Sequence, residues 1–378
     1  MTERAVIAGY CRTPFTFAGK GALAGVRPDD LGAHAIRSLI ARTGVPAEEI
    51  EDVLWGCAFP EGEQGLNIGR VVGMLAGLPD TVAGATVNRW CGSSIQAVQM
   101  AAGMIAMNAG EAFVCGGTES MSRVPMMGFN PLPNPAWDRR MVADYINVGL
   151  SAERVAAEYG LSRAELDAFG LDSQSKAVAA RDDGRLAAEI APVDVAGRTV
   201  DTDGCIRATS LEKLGSLKPA FKADGIVTAG TSSPMTDGAT AVLVCTAGFA
   251  ARHGLEPLAA VKSFAVSGCA AGVMGLGPIE SSRKALARAG LTIADIDMVE
   301  MNEAFAAQAE ACRRDLGIAE DKLNVDGGAI ALGHPLGATG TRLVGKAATL
   351  LRREGKSLAL ATQCIGGGMG IAMVLEAA

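Results

Sequence analysis

The chain runs twice through an alternation of short apolar runs and helix-like stretches, and that rhythm limits its fold more than any other feature. In the first pass, apolar runs at 4–9, 52–57, 85–90 and 112–116 alternate with amphipathic stretches at 29–43, 67–76 and 92–107. The pattern predicts an α/β fold, with a mixed sheet covered by helices. Segment 121–220 breaks the rhythm. It holds the proline-rich Asn130-Pro-Leu-Pro-Asn-Pro135 and then polar helices, one opened by the capping box Ser162-Arg-Ala-Glu165. It reads as an excursion from the sheet, a lid. Ala239-Thr-Ala-Val-Leu-Val-Cys245 then returns as a strand, and a second series begins after Pro257, with strands expected near 259–267, 297–301, 324–327, 357–363 and 370–376. Glycine-rich segments, Cys115-Gly-Gly and Cys364-Ile-Gly-Gly-Gly, echo one another between the passes, so a duplicated α/β unit is the economical explanation. At 378 residues the chain is long enough for two or three domains. The expected division is 1–120 with 221–250, then 121–220, then 251–378.

Composition removes several function classes. Thirty-four basic against 41 acidic residues give a net charge of −7 without basic runs, which argues against nucleic acid as a partner. Nine cysteines lack any C-x-x-C pair and only three histidines are present, so no metal site is expected. The odd cysteine count suits free thiols in a reducing compartment. No stretch reaches 18 uninterrupted apolar residues, so no membrane span is expected. The first residues carry no presequence pattern and the C-terminal Glu-Ala-Ala is no peroxisomal address, so the expected location is cytoplasmic.

Chemistry concentrates at Cys91. It ends the apolar run 85–90 and opens Gly92-Ser-Ser-Ile-Gln-Ala-Val98, which reads as a helix start. A thiol there faces unpaired N–H groups and the positive end of the helix dipole, both of which favour thiolate. His334, in Gly333-His-Pro-Leu-Gly337, has glycine neighbours that permit close approach of a ligand, whereas His34 and His253 lie in polar, helix-like surroundings. A histidine partner for Cys91 is therefore His334, and such a pair is the logic of covalent catalysis. Cys364 reads either as a buried structural cysteine or as part of a glycine turn whose N–H groups stabilise an oxyanion. Asn302 reads either as a turn residue or as the holder of a water or a substrate carbonyl. Two near matches fail. The glycine run after Cys364 leaves too few residues for a dinucleotide fold, and Gly340–Lys346 has P-loop spacing but Ala347 where a hydroxyl is needed.

Taken together, Asn88-Arg-Trp-Cys91-Gly-Ser-Ser, Asn302-Glu-Ala-Phe, Gly333-His334-Pro and Cys364-Ile-Gly366-Gly-Gly-Met-Gly resemble the four motifs of the thiolase family, in order and nearly end to end. The resemblance implies two similar βαβαβαββ halves in a five-layered αβαβα core, with a loop domain inserted in the first half. It implies that Cys91 takes the acyl group, that His334 activates it, and that Cys364 is the second acid/base. Asn302 would fix a water that forms one oxyanion site with His334, and the N–H groups of Cys91 and Gly366 would form the other. The family's CoA-contacting positions fall on Arg207, Phe221, Ala229 and Ser233, while Met274, Ala304 and Phe305 would line the acyl and pantetheine tunnel. CoA and acyl-CoA are then substrates, and no permanently bound cofactor is implied. The expected assembly is a homodimer or homotetramer, with a β-oxidation hydratase/dehydrogenase subunit as a further partner.

Departures from the family pattern bear on the substrate. Many acetoacetyl-forming members carry His-Met-Gly where this chain has Asn147-Val148-Gly149, and Asn-Ala-Ser-Gly where it has Thr231-Ser-Ser-Pro234. Those differences, with Glu63-Gln-Gly-Leu-Asn-Ile-Gly-Arg70, favour 3-ketoacyl-CoA thiolysis over a strict acetyl-CoA C-acetyltransferase. The rival readings are a ketosynthase, which needs a second histidine or an asparagine beside the first, and a non-catalytic acyl-CoA-binding relative.

Overall fold

The computed structural model describes residues 3–378. Ten strands form its main sheet, one of them the two-residue Thr16–Phe17 at the side of β5; the other nine are β1 (Ala5–Arg12), β2 (Asp52–Gly56), β3 (Ala83–Val87), β4 (Ala112–Ser120), β5 (Thr236–Thr246), β6 (Ala259–Gly268), β7 (Met298–Met301), β8 (Leu358–Ile365) and β9 (Met369–Glu376). Their spatial order is β3-β2-β4-β5-β1-β6-β9-β8-β7. The join between β1 and β6 is slight, with only Val6 opposite Ala260 and Ile7 opposite Ala259. On either side of it the same arrangement repeats. β2 runs parallel to β4, β4 antiparallel to β5, and β5 antiparallel to β1. Likewise β7 is parallel to β8, β8 antiparallel to β9, and β9 antiparallel to β6.

Helices complete the layers: α1 (Pro28–Thr43), α2 (Ile68–Ala76) and α3 (Ser93–Ala106) in the first half, and α4 (Arg139–Ile146), α5 (Val148–Glu158) and α6 (Arg163–Asp182) in the excursion. The second half contributes α7 (Gly277–Ala289), α8 (Ala306–Leu316) and α9 (Leu336–Glu354). One apolar core joins α3 and α9 to strands of both halves, including Phe113, Val242, Ile371 and Met373. A second covers the outer face of the first sheet with Leu31, Ile36, Leu39 and Val72. A third covers the outer face of the other with Ile279, Leu286, Ala309 and Leu316. Five layers result, with α3 and α9 in the middle. The apolar face of an ordinary helix is one stripe, but α9 is buried on nearly every side through Ala348. Its two interior charges are partnered: Arg342 pairs with Glu300, and Lys346 lies 2.6 Å from Asp326. The segment that mimicked a P-loop is therefore the interior of this helix.

Two expectations fail here. The strand expected near 324–327 is a single bridge between Leu323 and Val299, because the chain turns at Asn324 (φ 44°) and Gly327 (φ 85°). A Cβ on Gly327 would lie 2.7 Å from Ala177 of α6, so the excursion occupies the space a longer strand would need. The strand expected over 112–116 also does not end there; it runs on to Ser120, with Cys115-Gly-Gly in the middle of β4. Gly116 and Gly117 are bare because the Trp55 ring and the Gly337 carbonyl lie where their Cβ atoms would be.

The excursion leaves the sheet after Ser120 and rejoins it at Thr236. Its capping box forms as expected: the Glu165 N–H donates to Ser162 Oγ and the Ser162 N–H donates to the Glu165 carboxylate. It is tied to the body by buried charge: Arg12 forks to Asp203 at 2.6 and 2.7 Å and also donates to Glu189 at 2.8 Å. Such bidentate pairs give geometric specificity as well as energy. Ser173 of α6 donates to buried Glu303 at 2.6 Å. These contacts set the excursion against the mouth of the site.

Candidate active site

The chain leaves β3 at Asn88, earlier than the apolar run suggested, because the Asn88 side chain takes over the backbone. Its Oδ1 accepts from the Trp90 N–H at 2.9 Å and its Nδ2 donates to the Ala58 carbonyl at 3.1 Å. Trp90 is held at φ 46°, a conformation that costs a bulky residue about 1–3 kcal/mol. That turn delivers Cys91 to the start of α3.

Cys91, His334, Cys364 and Gly366 line one pocket of about 480 Å³. Phe221, Ser233, Met274, Ala304 and Phe305 line the same pocket, with Phe221 edge-on to Phe305 at 5.7 Å. Asn302 lies in the layer behind, at the end of β7, and reaches the site through His334. Arg207 and Ala229 are exposed and lie outside this lining. The wall also includes Phe59, Trp90, Met121, Met126, Met127 and Met235. The sequence reading assigned none of these a role, since each resembles an ordinary apolar residue until the layers bring them together.

The imidazole is set by hydrogen bonds at both nitrogens. Asn302 Nδ2 donates to His334 Nε2 at 3.3 Å, which leaves Nδ1 to donate to Thr339 Oγ1 at 2.7 Å. Burial, then the positive charge of Arg342, lowers the His334 pKa to about 3. The ring is neutral at working pH, with Nε2 unprotonated and able to take a proton once the Asn302 hydrogen bond gives way. Gly333 supports this placement: its φ of 107° suits glycine, and a Cβ there would strike Thr236. The His334 N–H in turn donates to Thr236 Oγ1 at 3.1 Å.

Cys91 departs from the sequence reading. Burial pushes its pKa up to about 11, the Gly366 N–H pulls against that shift, and Glu119 adds to it. The resting group is therefore a thiol, since desolvation outweighs the donors at the helix start. Cys364 is also raised, first by burial and then by the nearby Cys91. Gly366 must be glycine because a Cβ would lie 2.3 Å from the Trp90 ring.

Glu119 is the main residue that sequence reasoning missed. It is buried at the end of β4 and accepts from Ala58 N at 2.8 Å, Phe59 N at 3.2 Å, Gly337 N at 3.0 Å and Gln64 Nε2 at 2.7 Å. One carboxylate thus ties the loop beside Cys91 to the segment carrying His334. Its only sequence signal was an acidic residue inside an otherwise apolar and glycine-rich run. Gln363 plays a comparable part, donating to the Cys91 carbonyl.

Comparison with known proteins gives the family. Residues 5–248 match the family model described as Thiolase, N-terminal domain, and residues 255–377 match Thiolase, C-terminal domain. A protein named 3-ketoacyl-CoA thiolase from Bacillus subtilis (strain 168) is 45% identical over 388 aligned positions, covering 99% of each chain. Proteins of the same name from Acinetobacter baumannii (strain AYE) and Acinetobacter baylyi are 45% and 44% identical, over 98% of this chain and 97% of theirs. The chain belongs to the thiolase family.

Proposed function

We propose that this enzyme is a 3-ketoacyl-CoA thiolase, cleaving 3-ketoacyl-CoA with CoA to acetyl-CoA and an acyl-CoA shortened by two carbons. The observation that carries the reading is that Cys91, His334 and Cys364, from three separate segments of both halves, line one pocket. The 45% identity to proteins named for this activity supports it.

The resting protonation states suggest the sequence of steps. As the Cys91 sulfur attacks the 3-keto carbon, its proton passes to neutral His334 Nε2. The resulting oxyanion takes the N–H groups of Cys91 and Gly366, the same two N–H groups that act to lower the Cys91 pKa. The C2–C3 bond then breaks and its electron pair goes to the acetyl-CoA enolate. Cys364 gives that carbon a proton, leaving the acyl group on Cys91. The enolate oxygen would be held by His334 and a water on Asn302, whose Oδ1 is buried with no protein partner. CoA, deprotonated by Cys364, attacks the acyl-enzyme, and Cys91 leaves and recovers its proton from His334. One well-placed oxyanion donor is worth about 2.7–4 kcal/mol.

In this reading Phe221, Ser233, Met274, Ala304 and Phe305 flank pantetheine and the acyl chain, with Arg207 and Ala229 at the nucleotide end. The excursion acts as the lid of a loop domain spanning 121–220. Neither His34 nor His253 lines the pocket, which disfavours the ketosynthase reading. The proposal includes a cytoplasmic role in β-oxidation and a homo-oligomer. Edge strand β3 is flanked by exposed Leu66, Met74 and Leu75, an apolar border that suits a second copy. Among the described residues, no helix is long and apolar enough to cross a membrane.

The test is thiolysis of acetoacetyl-CoA and 3-ketohexadecanoyl-CoA, compared as kcat/KM, with Cys91→Ala as control. Cys91-dependent turnover of the longer substrate is expected. Turnover of acetoacetyl-CoA alone would make the enzyme an acetyl-CoA C-acetyltransferase, and no Cys91-dependent turnover would sink the assignment.

A further inference from the structure

A second groove of about 480 Å³ adjoins the catalytic pocket, roofed by Pro131, Leu132, Pro133 and Trp137 of the excursion. The two cavities share five wall residues: Ala58, Phe59, Trp90, Met127 and Ile146. Trp90 is the largest of these and the only one next to the nucleophile in the chain. We infer that Trp90 is a specificity-determining wall, whose indole ends the path open to the acyl chain on Cys91 and keeps longer chains out of the groove behind it. The inference rests on the proposed thiolase reading and adds to it a limit on chain length.

The indole is built to stay where it is. Its backbone is held at φ 46° by Asn88, while the Ser93 N–H donates to the Trp90 carbonyl at 3.0 Å. The ring meets Phe59 at 5.9 Å and Tyr145 edge-on at 5.2 Å, and Tyr145 is backed by Trp137 at 5.0 Å. On another side the ring fills the space a Cβ of Gly366 would take, and Tyr145 does the same at Gly367. Aromatic pairs in such tilted and edge-on contacts attract beyond their buried area. A ring clamped from the body, from the excursion and from the β8–β9 turn is a wall rather than a swinging gate. Beyond it Pro131, Leu132, Pro133 and Trp137 continue the apolar wall along one side of the groove, whose lining also includes the polar Glu61, Asn88 and Asn134; Leu132 is 81% exposed at its rim. An acyl chain is the occupant that such a continuation fits, because the groove adjoins the pocket holding Cys91 and an apolar tail gains free energy with each methylene buried.

The test is a chain-length series of 3-ketoacyl-CoA substrates from four to sixteen carbons, read as kcat/KM relative to acetoacetyl-CoA. The variants are Trp90→Ala, Trp90→Phe, Leu132→Trp and the Trp90→Ala/Leu132→Trp pair. Trp90→Ala should raise the sixteen-to-four-carbon ratio by about tenfold or more, within the range a few methylenes command in an apolar pocket. Trp90→Phe, which keeps a ring next to Cys91 and covers the case in which Trp90→Ala does not fold, should raise it less. Leu132→Trp should change nothing alone and should cancel the gain in the pair. An unchanged ratio in the Trp90 variants would overturn the inference. So would a fall in the ratio for Leu132→Trp alone, which would mean the parent already uses the groove. Calorimetric affinities of the Cys91→Ala protein for hexadecanoyl-CoA and acetyl-CoA, with and without the Trp90 changes, read the same wall without turnover. Absence of Cys91-dependent thiolysis in the parent would then sink the thiolase reading alone, while the affinity ratio would still decide the role of Trp90.

Discussion

The two halves share one strand order and one pattern of parallel and antiparallel pairing, yet they differ where chemistry is placed. In the first half, β4 and β5 are separated by the whole excursion; in the second, β8 and β9 are joined by Gly366–Gly368 alone. Aligning the halves on the last parallel pairs, Gly56–Gly117 and Met301–Thr362, puts Glu119 of β4 on the position of Cys364 of β8. Both face a glycine across the antiparallel ladder, Gly238 and Gly370. One position thus holds a carboxylate satisfied by four donors, and its counterpart holds a thiol open to the pocket. The cysteine–glycine echo in the sequence was out of register by four residues; the duplication is real, but Cys115 is not the counterpart of Cys364. The helices α3 and α9 also correspond, and their first turns cross closely. A Cβ on Gly340 would lie 2.3 Å from Ile95 N, and the Thr341 N–H donates to Ser94 Oγ at 3.0 Å. A symmetric frame brings two helix starts together, and its asymmetric loops place Cys91 at one and His334 at the other, the proposed nucleophile and base.

The strongest way to break that comparison is at the two helix starts. Cys91→Ala should lower thiolysis by on the order of 10⁵–10⁶, as expected for a lost nucleophile, with an unchanged melting curve. His334→Ala should cost about 10²–10⁴ in kcat with a much smaller change in KM; equal loss in both would mean that His334 only binds substrate. The paired position sharpens the contrast. Cys364→Ala should remove a similar 10²–10⁴ of activity at little cost in stability. Glu119→Gln should instead destabilise the fold by about 1–3 kcal/mol, because an amide NH₂ would face backbone donors. If denaturant titration shows the two variants equally stable, the structural half of the contrast fails. Gly366→Ala, which sets a methyl against the Trp90 ring, should cost about 1–3 kcal/mol by overpacking.

The smallest effect appears only in acid. The His334 pKa falls from 6.5 in the unfolded chain to about 3 in the fold. Below pH 6.5 the unfolded state takes up a proton that the folded state refuses, so this contribution to stability is complete above 6.5 and is lost as pH falls towards 3. His334→Gln should flatten that part of the stability profile between pH 6.5 and 4, measured by urea titration, and leave it unchanged at pH 8.

Much of this was legible in the sequence. The alternation located all nine of the strands β1–β9 within a few residues and the 92–107 helix within one residue at each end. The tenth expected strand, at 324–327, was lost because α6 packs against Gly327, a contact no local pattern encodes. Cys91, His334 and Cys364 were readable because glycine-flanked reactive side chains stand out locally. The protonation state of Cys91 was not: the local rule of a helix start favours thiolate, but burial beneath residues from both halves holds the thiol. Glu119 looked like any strand-end acid until Gly337, more than two hundred residues away, donated to it. Trp90 looked like a core aromatic until its left-handed backbone aimed the indole between two cavities. The sequence by itself determined the periodicity, the duplicated α/β frame and the choice of candidate reacting side chains, because those depend on short-range pattern and side-chain chemistry. Only the tertiary structure decided their protonation, their shared pocket and its walls, because desolvation and contact between distant layers exist only once the halves have packed.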